Sequence, residues 1–160
     1  MLPLIIAPNP ILRKVASAVP LQLNSELKAL AKDMFDAMQQ YRGIGLAAPQ
    51  IGQSIRLIII ATPDGVKAYF NPEIIKQSWK KTNMEEGCLS LPGVFGIVRR
   101  PGSIKVRYTS IDGVEITEDL NGMTARIYQH EVDHLNGILF IDRTSQIDQG
   151  QELLAKYGAV

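Results

Sequence analysis

Apolar residues recur at three- and four-residue steps in one long segment of the chain, the spacing that forms a single apolar stripe on an α-helix. The segment follows Asn24 and Ser25, either of which can cap a helix. We expect this helix to end near Tyr41, before Gly43 and Gly45, and to pack its stripe into the core. The stripe consists of Leu27, Leu30, Ala31, Met34, Phe35 and Met38.

The middle of the chain has the apolar and β-branched runs that are typical of strands. These runs form two pairs, and each pair predicts a β-hairpin, because the residues between its two runs favour a tight turn. Between the two hairpins, glycine and proline are frequent, so we expect irregular structure with short strands there. The hairpin runs are residues 55–61 and 66–70 around Pro63-Asp64-Gly65, and residues 104–111 and 114–117 around Asp112-Gly113.

A second helix is predicted over residues 123–135, with Asn-Gly pairs at 121–122 and 136–137 as its start and stop signals. We expect a short strand over residues 138–141 and a last helix around residues 151–157. Helices towards both ends of the chain with antiparallel hairpins between them predict an α+β fold rather than a parallel βαβ fold.

The composition is that of a globular protein of one domain, residues 1–160, with 46% hydrophobic and 21% charged residues. Seventeen basic and sixteen acidic residues leave a net charge of +1. We therefore expect no direct nucleic-acid binding and no membrane attachment, although a local charged patch can exist in a neutral total. The first eight residues lack a basic region, which predicts no signal peptide. With a single cysteine, a cytoplasmic location is expected.

The two histidines of the chain lie four residues apart in His130-Glu131-Val132-Asp133-His134. Residues at this spacing share one face of a helix, so both imidazoles can reach a common atom. Glu131 is one step round the helix, near the same point. The pattern predicts two metal ligands with a carboxylate beside an open coordination position. Ordinary helix contacts of two histidines are the alternative.

A third metal ligand is needed, and Cys88 is the only other cysteine or histidine in the chain. A Cys-His-His set leaves the fourth position open, which is typical of catalytic rather than structural sites. Two alternatives remain: Cys88 as a small buried apolar residue, and a closed structural site whose fourth ligand is a carboxylate or an amide.

Residues 43–52, GIGLAAPQIG, form a segment rich in small residues that permits close approach of another backbone. The glycine spacing is not that of a dinucleotide or phosphate-binding loop. A plain helix-to-strand turn is one interpretation. The amide of Gln50 could alternatively donate a hydrogen bond to an oxyanion.

Three segments together resemble the signature motifs of the peptide deformylase family, in the family's order. They are GIGLAAPQIG (43–52), EEGCLSLPG (85–93) and QHEVDHLNG (129–137). The opening stretch, residues 6–19, is also similar, so the resemblance extends from the start to about residue 140. It implies a single α+β domain whose mixed, mostly antiparallel sheet packs around a central helix that carries the histidines. It also implies removal of the formyl group from the formyl-methionine of new polypeptides.

The resemblance assigns roles to individual residues of this sequence. Metal binding by Cys88, His130 and His134 is implied, with Glu131 as general acid and base. The Gln50 side chain and the Leu89 backbone N–H would hold the formyl oxygen.

Four further residues receive roles from the resemblance. Gly45 would lie along the substrate backbone, and Ile44 would lie close to the methionine pocket. Glu86 would orient a metal-bound histidine, with Arg100 as its ion partner.

Three residues differ from those of some relatives, namely Arg42, Arg126 and Phe95. We expect these differences to affect substrate preference and not the metal site.

Borderline nitrogen and sulfur ligands suit Fe(II), Zn(II), Ni(II) or Co(II), and the resemblance favours Fe(II). Formyl-methionyl nascent peptides are the implied partners, while transient ribosome contact through the short tail stays open. An organellar location is the alternative to a bacterial-type cytoplasmic one. Three rival functions also remain: a metallopeptidase, a cysteine hydrolase with Cys88 as nucleophile, and a binding module with a closed metal site.

Overall fold

The computed structural model describes residues 2–158, so Met1, Ala159 and Val160 of the predicted domain lie outside the described residues. Short 3-10 turns connect the helices and strands. The α-helices are α1 (Ser25–Gln40) and α2 (Gly122–Leu135). The strands are β1 (Gly45–Ala47), β2 (Leu57–Thr62), β3 (Gly65–Gln77), β4 (Lys81–Gly87), β5 (Phe95–Pro101), β6 (Ser103–Thr109), β7 (Glu115–Asn121) and β8 (Thr144–Gln149).

Five strands form an antiparallel sheet in the order β1-β2-β3-β6-β7, with one helix on each face. Leu57 and Ile59 of β2 pack with α1, whereas Ile58 and Ile60 pack with α2. Because both faces are covered, β2 is a continuous apolar run instead of an alternating one. The predicted first helix, second helix and both hairpins are confirmed, and the Asn24 side chain accepts the Leu27 N–H at the start of α1.

The segment between the hairpins is more regular than predicted. β3 continues to Gln77, and β4 and β5 pair residue by residue over seven positions. Gly87 permits this pairing, since a Cβ there would lie 2.6 Å from the Phe95 ring. The glycines therefore make room for side chains within strands, and β4, β5 and β8 form a second, three-stranded antiparallel sheet.

The α+β fold class is confirmed, with two sheets in place of one mixed sheet. All strand pairs in the described part of the chain are antiparallel, and the parallel contact found there is an isolated bridge between Ser17 and Ile55. α2 packs one face on the large sheet, and its histidines face the small sheet and Phe140. Neither α-helix among the described residues is long and apolar enough to span a bilayer.

Two predictions for the last part of the chain are wrong. Residues 138–141 do not form a strand: Phe140–Asp142 is a 3-10 turn, because the Asp142 carboxylate accepts the Leu139 N–H and closes the turn. The strand comes later, as β8. The last helix is two separate 3-10 turns, Gln151–Leu153 and Ala155–Tyr157. A segment of this length is too short to stabilise an α-helix by itself.

Candidate active site

The sulfur of Cys88 and the two imidazoles of α2 lie within reach of one point. Cys88 Sγ is 3.3 Å from His134 Nε2, and one ligand atom from each of Cys88, His130 and His134 lies within 4.8 Å of the other two. Cys88 directly follows β4, where the Leu91 N–H donates to the Cys88 carbonyl and fixes a turn. The small sheet thus carries the thiol to the face of the helix that bears both histidines.

These three residues fit a divalent metal ion. One thiolate and two imidazoles are the ligands that iron, zinc, nickel and cobalt accept in proteins. His134 is buried, and its Nδ1 has no hydrogen-bond partner among residues 2–158. The Nδ1 of His130, by contrast, pairs with Glu86 Oε1 at 2.8 Å, which leaves Nε2 of that ring for a metal.

Glu131 lies beside this cluster in a water-poor position. Its side chain is buried, and Oε2 has no hydrogen-bond partner in the described part of the chain. Burial raises the pKa of this carboxyl to about 7, although the neighbouring His130 opposes the shift. A carboxyl that titrates near neutrality is suited to accept and return a proton at physiological pH.

Gly45 on β1 leaves the space that the Glu131 carboxylate occupies. A Cβ at this position would be 2.7 Å from Ile127 Cγ2 and even closer to Glu131 Oε1. The glycine is required here for close approach of β1 to α2.

We expect Gly45→Ala to lower kcat/KM by about a hundredfold, since displacement of a reacting group by about 1 Å has this effect. The measurement is steady-state hydrolysis of a formyl-methionyl peptide, the substrate that the resemblance implies. Gly102→Ala is the matched control, because a Cβ there meets its nearest atoms at 3.8 Å. Equal activity of the two variants would contradict the tight fit at Gly45.

Two hydrogen-bond donors lie next to the thiol. The Gln50 side chain accepts the Ala47 N–H at 2.9 Å, and its Nε2 donates to Ser90 Oγ at 3.1 Å and lies 3.6 Å from Cys88 Sγ. The backbone N–H of Leu89 has no protein acceptor among the described residues. Both groups can therefore donate to an oxygen of a bound molecule, Gln50 by exchanging its present partner.

A cavity of about 600 Å³ opens beside the cluster. Ile44 is exposed on its rim, and its wall is mostly apolar. Every residue predicted for the site lines it except His134, which is buried behind Cys88, and Arg100, which is buried behind Glu86. The cavity is lined in part by Gly43, Ile44, Gly45, Gln50, Cys88, Leu89, Phe95, Ile127, His130 and Glu131.

A buried ion network supports His130 from behind. Arg100 Nε and Nη2 donate to Glu86 Oε2 and Oε1 at 2.7 and 2.9 Å, and Arg100 Nη1 donates to Asp133 at 2.8 Å. Burial would raise the pKa of the Glu86 carboxyl, but hydrogen bonds from His130 and Arg100 hold it well below its usual range. The charged Glu86 therefore keeps the His130 ring in one orientation.

Arg126 belongs to the same network, which corrects the expectation that this residue does not affect the metal site. Its Nη1 donates to Glu86 Oε2 at 2.8 Å and to the Val98 carbonyl at 2.9 Å. Position 126 precedes His130 by four residues, as His130 precedes His134. That shared helical face is the signal in the sequence that could have identified Arg126.

Asp133 was also missed as a site residue. It accepts hydrogen bonds from Arg100 and from Arg143, whose Nε lies 2.6 Å from Asp133 Oδ2. A carboxylate on the histidine-bearing helix is a weak signal by itself, because most such residues are solvated. Only the structure distinguishes Asp133 from a solvated carboxylate, because it shows this side chain buried between Arg100 and Arg143.

The family model of polypeptide deformylase matches residues 1–150 of the chain. The peptide deformylase of Brucella suis biovar 1 (strain 1330) is 43% identical over 150 residues, which cover 91% of this chain and 85% of that protein. The crystal structure of peptide deformylase from Thermotoga maritima superposes with a TM-score of 0.88 at 41% identity, over 91% of this chain and 98% of that one.

The Met-Ala-Ser-bound class I type b peptide deformylase from Acinetobacter baumannii superposes with a TM-score of 0.84 at 38% identity, over 89% of this chain and 98% of that one. The sequence and structure comparisons each cover about nine tenths of the chain or more. The chain belongs to the peptide deformylase family.

Proposed function

We propose a mechanism by which this chain removes the N-formyl group from the formyl-methionine of new polypeptides and releases formate. As a member of its family, the chain is a metal-dependent hydrolase of nascent peptides. The observation that supports the mechanism is the convergence of Cys88, His130 and His134 within 4.8 Å beside the buried Glu131. We assign metal binding to these three residues and proton transfer to Glu131.

A divalent metal held by Cys88, His130 and His134 would lower the pKa of water towards ~7 and would polarise a carbonyl oxygen. Cys88 contributes the negative charge of the ligand set, and the apolar wall around it limits competing water. Glu86 holds the Nδ1 proton of His130, so that the Nε2 of that ring stays available as a ligand.

Glu131 accepts the proton of the water that attacks the formyl carbon. Its pKa near 7 lets it then return the proton to the departing amine, so that one residue serves as base and as acid. The gain from such a positioned group is typically ~10²–10⁴ in rate.

The formyl oxygen becomes negative during the attack and needs donors. We assign this role to the Leu89 N–H and to Gln50 Nε2, which lies 3.6 Å from Cys88 Sγ. Each such donor contributes about 10²–10³ in rate. Because Gln50 Oε1 accepts the Ala47 N–H, the side chain keeps its position, and only the partner of Nε2 has to change when the oxygen binds.

The apolar lining of the cavity suits a peptide substrate whose first side chain is apolar. Ile44 on its rim and Gly45 on β1 would lie along the methionine and its backbone, with Phe95 and Ile127 completing the wall. The small residue at position 45 lets the substrate backbone approach β1 closely, and the apolar wall suits a flexible thioether side chain.

The test is formate release from formyl-Met-Ala-Ser, with the metal content measured on the same sample. We expect turnover that a chelator stops and that added metal restores, and Cys88→Ala should lose both metal and activity. Cleavage of an unformylated peptide would favour a metallopeptidase. Chelator-resistant turnover with a trapped thioester would favour a cysteine hydrolase, and metal-dependent folding without turnover would favour a binding module.

We further propose that the native metal is Fe(II). The thiolate of Cys88 favours a soft or borderline ion, and zinc, nickel or cobalt can use the same ligands. The iron form should lose activity in air several times faster than the nickel form, because ferrous iron and its thiolate ligand are both oxidisable. Equal rates of activity loss in air for the iron and nickel forms would contradict this assignment. The same two samples kept without oxygen are the control.

Residues 1–160 are proposed to act as a single catalytic domain in the cytoplasm. The ribosome contact that the resemblance left open is not assigned to the C-terminal tail, whose described part forms two 3-10 turns rather than a long helix.

A further inference from the structure

Trp79 is displayed on the surface at the connection between β3 and β4. Its side chain is 99% exposed, and it is the only tryptophan of the chain. It does not line the cavity beside Cys88. A large aromatic ring that contacts almost nothing in its own protein is costly to leave in water, and such rings are enriched where proteins meet partners.

The backbone around Trp79 is held firmly, so the exposure is not that of a frayed loop. The Ser78 N–H donates to the Ser103 carbonyl at 2.9 Å, and the Ser78 hydroxyl donates to the Lys80 carbonyl at 2.9 Å. The Gly102 N–H donates to the same Lys80 carbonyl at 3.1 Å. These bonds hold the backbone on both sides of Trp79.

Four lysines lie close to Trp79, three along the chain and one on the neighbouring strand. Lys76, Lys80 and Lys81 are exposed, and none of the ion pairs among residues 2–158 includes them. Lys76 lies directly opposite Lys105 in the pairing of β3 with β6, an arrangement of like charges that disfavours the sheet. Lys105 has only a long contact to Asp119, at 3.8 Å. We name Lys76, Trp79, Lys80, Lys81 and Lys105 the Trp79 patch.

We propose that the Trp79 patch binds single-stranded RNA, with the indole stacked on a base and the lysines near the phosphates. A free ring flanked by cations is the arrangement by which proteins hold single strands without reading their sequence. The residues between, Gln77 and Ser78, are polar, so the patch offers little apolar area for insertion into a lipid surface. The net charge of +1 does not prevent RNA binding, because the lysines of the Trp79 patch lie close together in the fold.

The Trp79 patch lies at the start of the strand that leads to the candidate active site. β4 begins at Lys81 and carries Glu86, five residues further on, to the candidate active site. At the rise of a strand this separation is about 17 Å. RNA held at the patch would thus lie about one strand length from the cavity. The binding itself does not depend on the proposed function.

The test uses the full, metal-loaded chain and a short oligouridine, with Trp79 itself as the fluorescent reporter. We expect quenching on titration and a slope of log affinity against log salt of about −2, as for three phosphates. With a dye-labelled oligonucleotide, Trp79→Ala should weaken binding about tenfold or more, and Trp79→Phe should keep part of the affinity. Deformylation of a free short peptide should be the same in all these variants.

The matched control removes three lysines elsewhere. Lys76→Ala, Lys80→Ala and Lys81→Ala together should abolish most binding, whereas Lys14→Ala, Lys28→Ala and Lys32→Ala together should leave it nearly unchanged. Equal losses in the two triple variants would overturn the proposal, as would an absence of quenching. A stronger response to vesicles rich in phosphatidylserine, or to polyglutamate, would also overturn it and identify a lipid surface or an acidic protein instead.

Discussion

Glu131→Gln is expected to lower kcat for deformylation by about 10²–10⁴ while the chain keeps one divalent metal per molecule. The amide has nearly the same size as the carboxylate, so the packing against Gly45 is retained. It cannot take up a proton, and Oε2 has no other partner in the described part of the chain that the change would disturb. Initial rates with a formyl-methionyl peptide and metal analysis of the same sample measure both parts of this result.

The control for Glu131 is a glutamate of the surface. Glu152 is exposed in a 3-10 turn, and Glu152→Gln should leave both kcat and metal content unchanged. If Glu131→Gln instead lost the metal together with the activity, Glu131 would have to be reassigned as a ligand. Full activity of the variant would remove its assigned role in proton transfer.

Glu86→Gln is expected to lower the free energy of unfolding by about 3–5 kcal/mol, because it leaves the buried Arg126 without a carboxylate partner. Arg100 would keep only its bond to Asp133. The substituted amide has one accepting oxygen in place of two, so His130 or the arginines lose an acceptor, and metal affinity should fall about 10–100-fold. Urea unfolding gives the first quantity and competition with a chelator gives the second.

The chain offers a closely matched control for this network. Glu73 accepts from Arg107 at 2.7 Å, the same distance as the Arg100–Glu86 bond, but this pair is half exposed. Glu73→Gln should therefore lower the free energy of unfolding much less than Glu86→Gln does, and it should not change metal affinity. Similar stability losses in Glu86→Gln and Glu73→Gln would show that burial does not strengthen the network. A destabilised Glu86→Gln with normal metal affinity would separate its structural role from the orientation of His130.

Local sequence patterns predicted helices and turns correctly where contacts within a few residues determine the structure. The apolar stripe of α1, the Asn24 cap and both hairpin turns depend on neighbours within a few residues, and the structure confirms them. The strand predicted at residues 138–141 was wrong because the Asp142 side chain closes a 3-10 turn there. An apolar run of four residues does not distinguish a strand from a buried turn, so only contacts distant in sequence decide between them.

The ligand types of the site could be predicted, and the resemblance also named Glu86 and Arg100 as supporting residues, but Arg126 and Asp133 were missed. His130 and His134 share a helical face by spacing alone, and Cys88 was the only other cysteine or histidine. The role of Arg126 could not be inferred from its type, because a helical arginine usually faces solvent. It became evident only when β4 was found to deliver Glu86 to the same face of α2.

The sequence by itself determined the chemistry of this protein: two imidazoles one helical turn apart, a single thiol, and a carboxylate between the rings. The tertiary structure decided that Cys88 meets His134 across 46 positions of chain, and that buried arginines hold Glu86 against His130. The difference is physical. Helix periodicity fixes distances within a turn, whereas the approach of two segments depends on how the small sheet packs against α2, and no local pattern specifies that packing.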